Sequence, residues 1–186
     1  EGYFNEDVNS LDYVSMMSRF IDGEGLFMFN GSWEGANLDE SMGDNAGFFL
    51  VPPLEAGDPP VAMGASLTIV IPARADYPDV AAFFFDWIHT NPAARQEIAD
   101  TTGTAPGGPP DLPLPETDPG SVVELLQEQA AYLAAEGVIV DYLANATSGF
   151  FSTTYAPEVQ RLVGAQTDPE SFTRALQEGY EASIDR

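Results

Sequence analysis

The chain contains no cysteine, no lysine and a single histidine, His89. Without cysteine there are no disulfides, no thiol nucleophile and no cysteine-ligated metal. Without lysine, six arginines stand against 30 acidic residues, and the formal net charge is -24. Such a surface repels phosphate backbones and anionic headgroups, so nucleic acid is not an expected partner, and a neutral or cationic ligand suits it better. With one histidine, any nucleophilic triad would have to pass through His89, which lies near the end of a helical pattern and reads as a satisfied or exposed helix-terminal residue. No run reaches the ~18 apolar residues of a membrane span, and no signal peptide opens the chain. Glu1 is not an initiator methionine, so the sequence reads as a processed or truncated product. The glycine-rich phosphate cradles GxGxxG and GxxxxGKS are missing, and "DESMGDNAG" lacks the oxygen spacing of a calcium loop. No cofactor, metal or catalytic residue is expected. Carboxylate pairs such as Glu34 and Asp39 could suit a glycosidase, but among 30 acids such pairs arise by chance.

Against these absences, the chain is 44% hydrophobic and 11% aromatic over 186 residues, enough for one good-sized core or two small ones. Helix and strand signals alternate along it. Residues 8 to 22 carry Val8, Leu11, Val14, Met17, Phe20 and Ile21 at helical spacing, with Gly23 as the stop. "LFMF" (26–29) is a continuous apolar run, the pattern of a strand buried on both faces, ended by the turn pair Asn30-Gly31. "AGFFLVPP" and the β-branched "ASLTIVIP" (65–72) read as further strands. Val80, Phe83, Phe84, Trp87 and Ile88 follow at i, i+3, i+4, i+7 and i+8, which predicts an amphipathic helix with Trp87 in the core, closed by Asn91-Pro92.

A shorter helix starts at Pro92, and a proline- and glycine-rich crossing loop runs from 102 to 120. Helix returns over 121–136 and ends at Gly137, "VIVDYL" is extended, and 155–163 is helical. The final helix has Asp168 as N-cap and Pro169 at its first position. The pattern is α/β.

The order of these pieces is also familiar. "RFIDGEGLFMFNGSWE", "FFLVPP", "MGASLTIVIPARADYPDVAAFFFDWIHTNPAARQEIADTTGTAP" and "GAQTDPESFTRALQEGYE" together resemble the carboxyl-terminal half of the extracellular solute-binding proteins of ABC sugar importers, the maltodextrin-binding-like group. The resemblance covers almost the whole chain and lies in the ordered set, each motif alone being weak. It implies an α/β chain forming the carboxyl-terminal half of a two-lobed periplasmic-binding-protein-like fold of type II, with the amino-terminal half absent. By that likeness residues 1–66 begin the carboxyl-terminal lobe, 67–110 belong to the amino-terminal lobe, and 111–186 form the helical end of the carboxyl-terminal lobe.

The resemblance further implies a carbohydrate ligand and a set of residues for it. Trp33, after the Gly31-Ser32 turn, becomes an aromatic platform for a pyranose ring, with Glu34 beside it, although a core role for Trp33 remains open. Met63, Gly64 and Ala65 match a small-residue segment that lets backbone approach sugar hydroxyls, while Gly64 is equally explained as a bend. Phe150 and Phe151 stand where a second stacking aromatic belongs, with core packing an equal rival. Asp141 and Tyr142 are candidates for hydroxyl contacts, and Asp141 could as readily cap or face solvent. The expected protein is a monomer and not an enzyme. It works outside the cell as a membrane-anchored lipoprotein or in a periplasm, and hands sugar to permease subunits of an ABC importer. A self-contained carbohydrate-binding module and a glycosidase-associated lobe are the alternatives.

Overall fold

Helix ends are where the chain makes its local commitments clear. In the computed structural model, which describes residues 3–64, 69–104, 107–109, 111–143 and 146–184, each long helix begins at a side chain that accepts from its first free N–H groups or at a proline that lacks one. Helix α1 (Tyr13–Ile21) starts at Asp12, whose carboxylate accepts from Ser15 N–H at 2.7 Å, and the chain turns away at Gly23 with φ +85°. Helix α2 is Gly35–Met42. Helices α3 (Pro78–Thr90) and α4 (Pro92–Thr102) both carry proline in the first turn. Between them Asn91 Oδ1 accepts from Ala93 and Ala94 N–H at 3.0 and 3.1 Å. In α5 (Val122–Glu136) the Ser121 hydroxyl accepts from Glu124 N–H. Helix α6 (Ala156–Val163) continues from a π-helical turn over Phe151–Tyr155, and α7 (Pro169–Ile184) starts at Asp168, which accepts from both the N–H and the hydroxyl of Ser171.

The sheet is small. Strands β1 (Val61–Gly64) and β2 (Val138–Asp141) pair in parallel, with Val138 N–H donating to Pro60 O at 2.9 Å and Tyr142 N–H to Gly64 O at 3.1 Å. The chain is therefore mixed α/β and mostly helical. It divides into two compact units, and it passes from one to the other within both strands. One unit comprises Glu1–Phe27, Met63–Ser66 and Val140–Arg186; the other comprises Met28–Ala62 and Leu67–Ile139. These cut points differ from the expected segments 1–66, 67–110 and 111–186, which refer to a larger two-lobed molecule.

The Met28–Ile139 unit is built by α2 packing on α5 and α4, with Leu38, Ala94, Ala99, Val122, Leu126 and Leu133 buried. The approach is close enough to require glycine: a Cβ on Gly35 would lie 2.7 Å from Leu126 Cδ1, and one on Gly103 would lie 2.4 Å from Ala36 N. Helix α4 also fastens the proline-rich loop. Arg95, 4% exposed, has no carboxylate partner among the described residues and instead donates to the carbonyls of His89, Gly107 and Pro113, while Gln96 pairs with both backbone groups of Glu116. In the other unit α6 packs on α7 and on the Val8–Ser10 turn, where Asn9 donates to Gln160 O, and Met17 and Phe150 are its buried apolar residues.

Two strand expectations are overturned, and a third fails over the part that is described. Among the described residues, 26–29 and 46–51 are irregular and not strand, and Leu26, Phe27, Phe29, Phe49 and Val51 are exposed, Leu26 to 88%. Residues 65–68 of the third expected strand lie outside the described residues, and 69–72 are irregular and exposed. An apolar run becomes a buried strand only when neighbouring strands and a covering layer exist, and among the described residues only β1 and β2 pair. Trp87 is likewise not core. Helix α3 forms as expected, yet none of its residues is buried. Ala81, Phe85 and Ile88 form its half-buried side, whereas Val80, Phe83, Phe84 and Trp87 stand in solvent, Trp87 at 42% and Phe83 at 68%.

Candidate ligand site

In the unit containing the chain's last two helices, several expected ligand residues come together at the carboxyl ends of the paired strands. The bond from Tyr142 N–H to Gly64 O joins the two strand ends, and Met63 and Asp141, just before them, are exposed. The Tyr142 ring meets Tyr155 edge to face, with centroids 6.1 Å apart and planes at 74°. Tyr155 in turn stacks on Phe151 at 6.1 Å and 27°. The carboxyl ends of parallel strands are the usual place for a ligand crevice in α/β proteins.

The stacking follows from local sequence. Pro157 has no N–H to donate four residues back, and just ahead of it Ala156 N–H reaches five residues back to Phe151 O. The widened turn takes more residues per rotation, so side chains four apart, Phe151 and Tyr155, lie nearly above one another. Burial first, and the neighbouring Tyr142 second, push the Tyr155 phenol above its ordinary value. It stays protonated through the neutral range and keeps both a donor and an acceptor. An exposed aromatic face, two phenols and the Asp141 carboxylate suit a ligand with an apolar face and a hydroxyl-bearing edge. Tyr155 was not anticipated from the sequence; its signal is the Phe151-Tyr155 spacing of four, readable only once the segment is known to be helical.

Phe150, next to Phe151, goes the other way. It is 1% exposed and meets Tyr180 of α7 edge to face, so it serves as core. Ala65 lies outside the described residues.

Trp33 and Glu34 belong to the other unit. They form the Ser32–Glu34 turn that leads into α2, and Trp33 is 56% exposed. Its indole folds back over Gly31, where a Cβ would fall 2.1 Å from Trp33 Cζ3, so a larger residue there would have to displace the ring. Glu34 accepts from Asn37 at 2.8 Å. Asp39 serves the fold. Its carboxylate accepts from the N–H groups of Val122 and Val123 at 2.6 and 3.1 Å and caps α5 from across the unit. Both carboxylates of that pair are thus engaged by neighbours. His89 contacts Phe85 O through Nδ1 at 2.7 Å, a bond within its own helix.

Two open grooves lie elsewhere. One of about 510 Å³ is in the Met28–Ile139 unit between Ala36, Asp39, Asp100, Glu116 and Val123. One of about 350 Å³ is in the other unit between Asn9, Gln160, Arg161 and Gln166. Neither is lined by an expected ligand residue. Among the described residues no group of histidine and carboxylates could hold a metal ion, and no helix is long and apolar enough to cross a membrane. The sequence matches no protein-family profile and no curated protein.

Proposed function

We propose that the chain is the carboxyl-terminal half of a two-lobed sugar-binding protein that takes up a sugar or oligosaccharide outside the cell and delivers it to the permease of an ABC importer. The observation that carries this reading is the cluster of Tyr142, Tyr155 and Phe151 beside Gly64 and Asp141. Residues named from the family likeness and one new tyrosine gather at the carboxyl ends of a parallel strand pair, with the amphipathic character a pyranose needs. Trp33 and Glu34, in the other unit, are ligand candidates through the family likeness alone. The exposed outer side of α3 and the exposed runs at 26–29, 49–51 and 69–71 support a partner lobe, because soluble monomers rarely leave so many large apolar side chains uncovered. The same exposure weighs against a self-contained module, and the engagement of Glu34 and Asp39 weighs against a glycosidase.

The test is calorimetric titration of the protein together with its preceding sequence against neutral oligosaccharides. Phe151→Ala and Tyr155→Ala should each weaken saturable binding by about 1 to 3 kcal/mol, the usual loss for a central aromatic anchor, with little change in melting temperature. Affinity untouched by both substitutions, or turnover of the sugar, would overturn the reading.

A further inference from the structure

We propose that Asn30 is a site of spontaneous deamidation, converted on standing to aspartate and isoaspartate through a cyclic imide closed by the Gly31 nitrogen. The reaction needs a backbone nitrogen able to reach the side-chain carbonyl carbon of the residue before it, and a following residue without a Cβ in the way. Asn30 is the one asparagine in the chain followed by glycine; the others precede Glu6, Ser10, Leu38, Ala46, Pro92 and Ala146. The geometry already joins the reacting groups. Residues 29–31 lie outside helix and strand, and Gly31 N–H donates to Asn30's own Oδ1 at 2.8 Å, which leaves the nitrogen close to Cγ, one bond from that oxygen.

The other asparagines differ in ways that matter chemically. Asn91 precedes a proline, whose nitrogen carries no proton to lose, and its Oδ1 is held by Ala93 and Ala94. Asn37 lies inside α2, where the next backbone N–H is committed to the helix. Asn9 and Asn45 sit in short helical turns and precede residues with a Cβ.

In the reaction the Gly31 amide loses its proton to hydroxide, and its nitrogen bonds to Asn30 Cγ. The Cγ–Nδ2 bond breaks, water returns a proton to the departing nitrogen, and ammonia leaves. Water then opens the imide at either carbonyl, giving an ordinary aspartate or a β-linked residue whose side-chain methylene has entered the backbone. Either product acts on Trp33, whose indole rests on Gly31: the first adds a carboxylate beside the ring, and the second lengthens the chain into the turn that starts α2. The inference does not depend on what the protein binds.

The test is to hold the folded protein at mildly alkaline pH, sample it over days, and score each asparagine by peptide mass spectrometry with isoaspartate-specific methyl labelling. A parallel sample is kept in denaturant. Asn30 should convert several-fold faster than Asn9 and Asn45 in the folded protein, at a rate within a few-fold of the denatured chain. Asn30→Gln should remove that conversion and leave the other sites unchanged. Loss of the Asn30 amide only in denaturant, or conversion of Asn9 and Asn45 at the same pace, would overturn the proposal. Replacing Gly31 is avoided because a Cβ there collides with Trp33.

Discussion

Helices α5 and α3 belong to the same unit, have similar length and apolar content, and end up in opposite conditions. Helix α5 buries Val122, Leu126, Gln127 and Leu133, and its amino end is held by Ser121 and by the Asp39 carboxylate. Helix α3 buries nothing and presents Val80, Phe83, Phe84 and Trp87 outward, with Phe84 and Trp87 stacked on each other at 6.5 Å. Both have an amphipathic period. The difference teaches that periodicity specifies a face suited to burial and leaves open what supplies the covering layer. For α5 the cover is α2. For α3, under the function proposed here, it is the rest of the amino-terminal lobe.

The contrast can be broken most sharply by substitution. Leu126→Ala should destabilise the chain by about 2 to 5 kcal/mol, because it empties a site packed against Gly35, whereas Phe83→Ser should change stability by less than about 0.5 kcal/mol and reduce binding of a hydrophobic dye. Equal losses in urea unfolding would mean that the outer side of α3 is packed after all. A smaller effect is expected for Asp39→Ala, which strips two N–H partners from α5. About 1 to 2 kcal/mol should be lost, with helicity decreasing first in α5 by residue-resolved exchange; an unchanged unfolding midpoint would remove Asp39 from the account.

The smallest effect concerns acid. Hydrogen bonds from Ser15 hold Asp12 below the usual carboxylate range, and bonds from Ser171 do the same for Asp168. Each folded-state value lies below the unfolded one, so the stabilisation is present above the ordinary carboxylate range and is lost as pH falls through the folded values. Asp12→Asn with Asp168→Asn should flatten the decline in stability on acidification. An unaltered acid limb would show that these caps contribute little to it.

What could be read from the sequence was whatever is decided within a turn or two of chain. Asp168-Pro169, Asn91-Pro92 and the stop at Gly23 all act on groups three or four residues away, and the helices begin or end there as expected, although α1 starts at Tyr13 and leaves Val8–Ser10 as a separate turn. Strands depend on distant partners, which is why 26–29 and 46–51 misled while β1 took the less conspicuous Val61–Gly64. The same limit hid the Asp39 cap, whose partners are 83 and 84 residues away. At the candidate site, Tyr142 and Phe151 were legible through the family likeness and Tyr155 was not, because its place depends on a widened turn ahead of Pro157. The neighbours Phe150 and Phe151 show the resolution of sequence reasoning: one residue of rotation separates a core ring from an exposed one.

The central claim is that α3 and the aromatic cluster are surfaces made for two different occupants, a lobe and a sugar. Hydrogen exchange of the protein with its preceding sequence, measured with and without a pool of neutral oligosaccharides, reads both at once. Helix α3 should be protected to the level of α5 whether or not sugar is present, and the segment from Tyr142 to Tyr155 should gain protection only with sugar. Exchange in α3 as fast as in the 186-residue chain alone, together with a cluster indifferent to sugar, would contradict the account.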